Sequence, residues 1–173
     1  NLIQSARHIH LHYSSRFPDN YAAISALKGV GPYTAAAIAS FAFNLPHAVV
    51  DGNVARVISR YFGIEEEIDS SGGKKIINSL ADQLLNKNEP GEYNQAIMDL
   101  GAIVCKPRNP DCKICPLSKN CFAFISKRVE EFPRKKARAA KRKRYFHFLV
   151  LLEKGKVLVR ERLEKDIWQN LHE

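Results

Sequence analysis

Apolar positions recur at helical spacing through roughly the first hundred residues, and at strand-like spacing only near the end. Residues 1–14 place Leu2, Ile3, Ala6, Ile9 and Tyr13 on one helical face. Phe17-Pro18-Asp19-Asn20 breaks and recaps the chain, and 20–26 reads as a short helix. Leu27-Lys28-Gly29-Val30-Gly31 is too glycine-rich for a helix interior and predicts a tight hairpin between helices. Helix resumes at Pro32, a favoured first helical residue, and runs through the alanine-rich 34–43. The apolar run Ala48-Val49-Val50 leads into Asp51-Gly52-Asn53, after which Val54, Val57, Ile58 and Tyr61 continue a buried helical face. Further helices are expected at 73–86 and 91–104. Strand patterning appears only at Tyr145–Leu152 and Val157–Arg160, around the turn Glu153–Lys156, with nothing left to pair with the hairpin. The expected organisation is an all-α body over 1–126, a linker over 127–144, and the start of a β-containing domain over 145–173.

Composition sharpens this picture in one place. The 45% apolar content suffices for a real core. The formal net charge of +9 is concentrated in 127–144, where ten Lys or Arg face only Glu130 and Glu131. Such a run either tracks phosphates or is a solvated linker. No apolar stretch approaches the ~20 residues needed to cross a bilayer, so a soluble chain is expected. The first residue is Asn1, and both ends are expected to be cut.

All four cysteines fall in one window, Cys105, Cys112, Cys115 and Cys121, spaced C-x6-C-x2-C-x5-C. Two disulfides are the ordinary alternative, but cysteine-stapled domains are usually small and secreted. Thiolates this close in sequence can reach one soft metal centre. Zinc sites usually pair two short knuckles across a longer gap, whereas a single loop of uneven steps suits a [4Fe–4S] cubane. Spacing therefore favours the cluster without excluding zinc. Pro107, Pro110 and Pro116 stiffen the loop. His8, His10, His12 and His47 form no defensible ligand pattern and are read as surface or packing residues.

Two further features admit both a structural and a functional reading. Gly29-Val30-Gly31 is either an ordinary turn between helices or, by opening a helix with outward N–H groups, a phosphate site. Asp51 is a natural helix N-cap. A carboxylate held still at that position is also a candidate catalytic group.

Taken together, LKGVGPYTAAAIASFAF, VVDGNVARVISRYFG, QAIMDLGAIVC and the four-cysteine spacing resemble, in order and separation, the helix-hairpin-helix DNA glycosylases of the endonuclease III superfamily. Within these the likeness is to the MutY-type adenine glycosylases, well over residues 1–130 and more loosely over 145–173. The resemblance implies a helix-hairpin-helix core with a [4Fe–4S] loop over 1–126. It also implies a basic interdomain linker over 127–144 and, over 145–173, the first strands of a Nudix-like α+β domain. Cys105, Cys112, Cys115 and Cys121 become the cluster ligands. Lys28, Gly29, Val30, Gly31 and Thr34 become the grip on a DNA phosphate, which positions DNA without reading its sequence. Asp51 becomes the carboxylate that stabilises, or bonds transiently to, the oxocarbenium ion, and Asn53 helps to orient it. Tyr33 stands where endonuclease III-type relatives carry a Schiff-base lysine, and Ala55 where some relatives carry another lysine. A monofunctional glycosylase without efficient lyase activity follows.

The implied substrate is double-stranded DNA containing adenine opposite 8-oxoguanine or guanine, handled by a cytoplasmic, nucleoid-associated bacterial monomer. The family's general-acid glutamate and duplex wedge precede the hairpin in a part absent from this chain. The chain alone is therefore expected to be inactive or nearly so. Three other functions compete with this one. An electron carrier would more usually pack its cysteines as C-x2-C-x2-C in a small β-rich fold. A DNA-binding module with a structural cluster would leave Asp51 without a catalytic task. A thymine or uracil mismatch glycosylase would share the same core.

Overall fold

The computed structural model describes residues 1–136, 143, 145, 147, 149–165 and 167–173, in two units, Asn1–Ala137 and Arg138–Glu173. The first unit is helical. Its elements are α1 (Leu2–His12), α2 (Tyr21–Ala26), α3 (Pro32–Phe43), α4 (Gly52–Phe62), α5 (Ser71–Leu84) and α6 (Pro90–Asp99). A π-helical turn, Leu100–Val104, extends α6, and the cysteine loop follows with 3-10 turns at Cys112–Ile114 and Ser118–Asn120. The short helix α7 (Phe122–Ile125) and a 3-10 turn at Val129–Glu131 complete the unit. No helix among the described residues is long and apolar enough to cross a membrane.

Local chemistry accounts for these boundaries. Asn20 caps α2 by accepting from the Ala23 N–H at 2.9 Å, and Ser70 caps α5 through the Gly73 N–H at 2.9 Å. Pro32 and Pro90 open α3 and α6. The expected helix over 91–104 divides at Asp99, because its last turn widens to π geometry. Gly101 makes that turn possible against α4, since a Cβ there would lie 2.7 Å from the Asn53 Cβ.

Helix α4 is the centre of the unit, packing on α5, α6, α7 and the π turn. All seven residues from Val54 to Arg60 are buried. Val54, Ala55 and Ile58 join Ile77 and Ala81 of α5 in one core, to which Val50, Ile97 and Met98 add. A smaller core unites Ile24 with Ala35 and Ala39 around the hairpin. Helix α1 forms as expected, but the start of its apolar face is bare, Leu2 being 85% and Ile3 68% exposed, while Ile9 and Tyr13 are half-buried. Its attachment is through Ser5, whose hydroxyl donates to the Lys28 carbonyl at 2.8 Å, and through Asn1, which packs on Gly29.

The first ten residues of the expected linker lie on this body rather than away from it. Phe132 is buried and meets Phe122 edge-on at 6.0 Å between ring centroids. The Ile68 N–H donates to the Arg134 carbonyl at 2.9 Å, and the Lys136 N–H to the Asp69 carboxylate at 2.9 Å. Arg128 pairs with Glu65 at 3.1 Å and Glu131 at 2.7 Å, and Arg134 also pairs with Glu65. One buried aromatic and an acidic stretch, Glu65–Asp69, thus hold this basic segment down. Arg138, Lys141, Arg142 and Arg144 lie outside the described residues.

In the second unit, β1 (Leu152–Glu153) and β2 (Lys156–Val157) pair antiparallel with Leu152 opposite Val157. Lys154 and Gly155 both have positive φ, as the two-residue primed turn requires. The strands are much shorter than expected, and Phe146 and Phe148 of the first expected strand lie outside the described residues. A further ladder that the sequence did not suggest joins 160–162 to 170–173, with Arg160 and Glu173 exchanging backbone bonds at 2.8 and 2.9 Å.

Candidate active site

Asp51 ends an extended segment and caps α4. Its Oδ1 accepts from the N–H groups of Asn53 and Val54, each at 2.8 Å. Its Oδ2 accepts from the Asn53 side-chain amide at 2.9 Å. Both oxygens are therefore held while the residue stays partly open to solvent. The cap and the candidate catalyst are the same group in one geometry.

Asn53 is fixed in turn. Its Oδ1 accepts from Arg56 Nη2 at 2.8 Å. The same guanidinium donates to the carbonyls of Gly101 at 2.6 Å and Cys105 at 2.7 Å, and more weakly to that of Gly52 at 3.2 Å. A continuous path of hydrogen bonds thus runs Asp51–Asn53–Arg56–Cys105. Burial pulls the Arg56 pKa below its ordinary value, opposed by nearby Cys105 and Asp51 and reinforced by Arg60. A guanidinium so rarely gives up its proton that the group remains a cation in the interior.

One turn further along α4, Arg60 is 2% exposed and spends its donors on loops. It bonds the carbonyls of Lys106 at 2.7 Å, Phe132 at 3.0 Å, Val129 at 3.2 Å and Pro107 at 3.3 Å. Its Nη1 also lies 3.4 Å from Cys105 Sγ. All four cysteine thiols are unbridged and line one cavity with Arg60, Val104, Pro110, Phe124 and Val129. Burial first, and neighbouring cysteines second, push the Cys112 thiol up. Burial does the same to Cys121, opposed by the N–H groups of Phe124 and Ala123. Among the described residues, no group of three or more metal-ligating side chains stands at metal-binding geometry. The donor chemistry nevertheless fits a soft metal centre: four sulfurs share a cavity whose other walls are mainly apolar.

The hairpin joins α2 to α3. Gly29 has φ +89°, which favours glycine, and the Val30 N–H closes the turn on the Leu27 carbonyl at 3.0 Å. Gly31 is extended (φ −87°), with nothing within 4 Å of where a Cβ would stand, so no internal neighbour demands glycine there. Its open face suits close approach of another molecule's backbone. Lys28, Gly29, Gly31 and Thr34 are exposed, Val30 is half-buried, and Tyr33 is 46% exposed. Tyr33 makes no hydrogen bond to Asp51 or Asn53 among the described residues. Helix α6 packs on both α3 and α4, so it links the hairpin helix to the Asp51 helix.

Sequence reading did not single out Arg56, Arg60 or Asn94. For the two arginines the available signal was their spacing, four residues apart in a run, Val54–Arg60, whose other residues are apolar except Ser59.

A family profile described as a helix-hairpin-helix motif matches residues 12–41. An adenine DNA glycosylase of Buchnera aphidicola subsp. Acyrthosiphon pisum is 32% identical over 99% of this chain and 49% of its own length. The Schizosaccharomyces pombe adenine DNA glycosylase is 40% identical over 74% of this chain and 28% of its own length. Among solved structures, a thermostable thymine-DNA glycosylase matches at 38% identity and TM-score 0.66, covering 72% of this chain and 57% of that one. A non-covalent endonuclease III–DNA complex matches at 26% identity and TM-score 0.57, covering 70% and 55%. The chain belongs to the helix-hairpin-helix DNA glycosylases of the endonuclease III superfamily. Within it, the relatives matched along nearly the whole chain are MutY-type adenine DNA glycosylases, of which the chain spans about half the length.

Proposed function

We propose that the protein carrying this chain is a monofunctional DNA glycosylase that hydrolyses the N-glycosidic bond of adenine mispaired with 8-oxoguanine or guanine. The observation that carries this reading is Asp51, a carboxylate held by three hydrogen bonds yet open on one side. As the bond from C1′ to the purine nitrogen breaks, its electron pair leaves with adenine, which takes up a proton. Positive charge grows on the sugar, and the fixed carboxylate stabilises it without having to reorganise. Water then adds to C1′ and releases its proton. Asn53 keeps Oδ2 in place throughout. Tyr33 offers no amine, so base release is not followed by Schiff-base cleavage of the backbone.

The hairpin supports binding of double-stranded DNA through a phosphate, with the amides around Gly29, Val30 and Gly31 as donors and Lys28 and Thr34 beside them. Cys105, Cys112, Cys115 and Cys121 would hold a [4Fe–4S] cluster as thiolates. That group, when bound, supplies a covalent staple for the loop whose start Arg56 and Arg60 grip. The setting is a bacterial cytoplasm, acting on nucleoid DNA as a monomer. Residues 145–173 fit the opening of a Nudix-like domain that reads 8-oxoguanine.

A second reading has one observation behind it, the thymine-DNA glycosylase neighbour. Single-turnover release of base from A:8-oxoguanine, A:G, T:G and U:G duplexes by the full-length protein separates the two. Faster release of thymine or uracil than of adenine overturns the proposal.

A further inference from the structure

Asn94 sits in the middle of α6 and is 1% exposed. A buried side-chain amide must find partners for both its donor and its acceptor, or it costs stability. Asn94 finds them outside its own helix. Its Oδ1 accepts from the Val49 N–H at 3.1 Å, and its Nδ2 donates to the His47 carbonyl at 2.9 Å. Residues 45–50 belong to no helix or strand. The amide thus takes the place of a neighbouring strand, pairing with one edge of an extended segment.

That segment delivers Asp51. Val49 lies two residues upstream, is itself 1% exposed, and is followed by Val50 in the main core. The His47 ring stacks on Tyr21 with centroids 4.1 Å apart, which anchors the segment's other end. Beyond Asp51, the same helix α6 runs into the π turn, where Gly101 backs onto Asn53 and its carbonyl receives Arg56. One continuous element therefore grips the carboxylate's backbone on both flanks. Asn94 is the upstream grip and Gly101 the downstream one.

We infer that Asn94 is a positioning residue for base release, setting where the Asp51 carboxylate stands against the sugar through the segment 47–49. It is buried and touches no substrate. The inference rests on the reading of Asp51 given under the proposed function. Misplacement of a reacting group by about 1 Å costs roughly 100-fold in rate.

The test uses the full-length protein with Asn94→Asp, which presents an oxygen to the His47 carbonyl in place of the amide donor, and Asn94→Leu, which removes both bonds at similar volume. Single-turnover kinetics on an A:8-oxoguanine duplex give a rate constant and an amplitude; duplex affinity is measured alongside. The expected result is a rate constant lowered roughly 10- to 100-fold, with amplitude and affinity close to wild type. A lowered amplitude with an unchanged rate constant means fewer folded molecules working normally, and overturns the inference. Hydrogen–deuterium exchange of peptides spanning 48–56 gives a readout independent of activity. Faster exchange at Asn53 and Val54 in the variants is expected, and unchanged exchange there overturns the inference. Should wild type release no adenine, the reading of Asp51 fails, and exchange alone decides whether Asn94 positions it. If Asn94→Leu fails to fold, Asn94→Gln, which keeps both polar groups but displaces them by one methylene, takes its place.

Discussion

The Arg56 guanidinium donates to the Cys105 carbonyl at 2.7 Å across 49 residues of sequence. The same side chain holds Asn53, so the first cysteine of the loop and the neighbour of the candidate catalyst share one donor. Replacing Arg56 by Gln removes most of a fork serving four acceptors. The expected loss is about 3 kcal/mol of unfolding free energy, from charged hydrogen bonds to buried carbonyls. Arg56→Lys should recover little, because a point charge cannot reproduce the fork. Urea titration checks the stability, and iron per chain after anaerobic purification should fall in parallel.

Asp51→Asn should separate the cap from the chemistry. Asparagine is as good an N-cap as aspartate, so stability should change by less than about 1 kcal/mol. Duplex binding should persist, while base release by the full-length protein falls on the order of 100- to 1,000-fold or more. Equal loss of binding and release would remove Asp51 from the chemical step.

Gly101→Ala tests the downstream grip. The new Cβ would meet Asn53 side chain at 2.7 Å and its backbone at 3.0 Å, so α4 or the π turn must move. A loss of about 1–3 kcal/mol is expected from such overpacking. A crystal structure of the variant should show Asn53 shifted relative to Asp51.

Acid should loosen the basic segment at its Asp69 anchor. The Lys136 N–H bond holds the Asp69 pKa below its ordinary 3.8, with Lys135 and Lys74 contributing. A folded value below the unfolded one means the stabilisation is present above 3.8 and is lost as pH falls through the lower, folded value. Glu131, held below its ordinary 4.5 by the hydrogen bond from Arg128, acts in the same direction. The Lys136 amide resonance should titrate with a midpoint below 3.8, and Asp69→Asn should abolish that titration.

What the sequence made legible was local. The turn at Gly29, the cap at Asp51 and the start at Pro32 each follow from a residue and its immediate neighbours. Beyond the local bonds of Arg56 to Gly52 and Asn53, the partners of Arg56, Arg60 and Asn94 lie 45 to 72 residues away, so no spacing rule points to them. The packing of 127–136 on the body was not legible for a related reason. Its charge reads as solvated unless Glu65 and Asp69 are known to face it, and Phe132 was one apolar residue in a basic run. Helix α1 was legible as a helix but not as an exposed one, since periodicity reports a face and not its cover. The Gly101 widening of α6 has no periodic signature at all. Its signal, a glycine just before the first cysteine, was in the quoted motif without a role.

Arg60 gives the order of assembly a physical basis. Its acceptors lie in two stretches, 105–107 on one side of the cysteine loop and 129 and 132 on the other. A nascent chain stopped at Cys121 already has every thiol, yet its central arginine lacks the Val129 and Phe132 carbonyls that take the place of water around it. Phe124 and Val129 line the cysteine cavity from beyond Cys121, so that cavity gains its last walls only after the final thiol has been made.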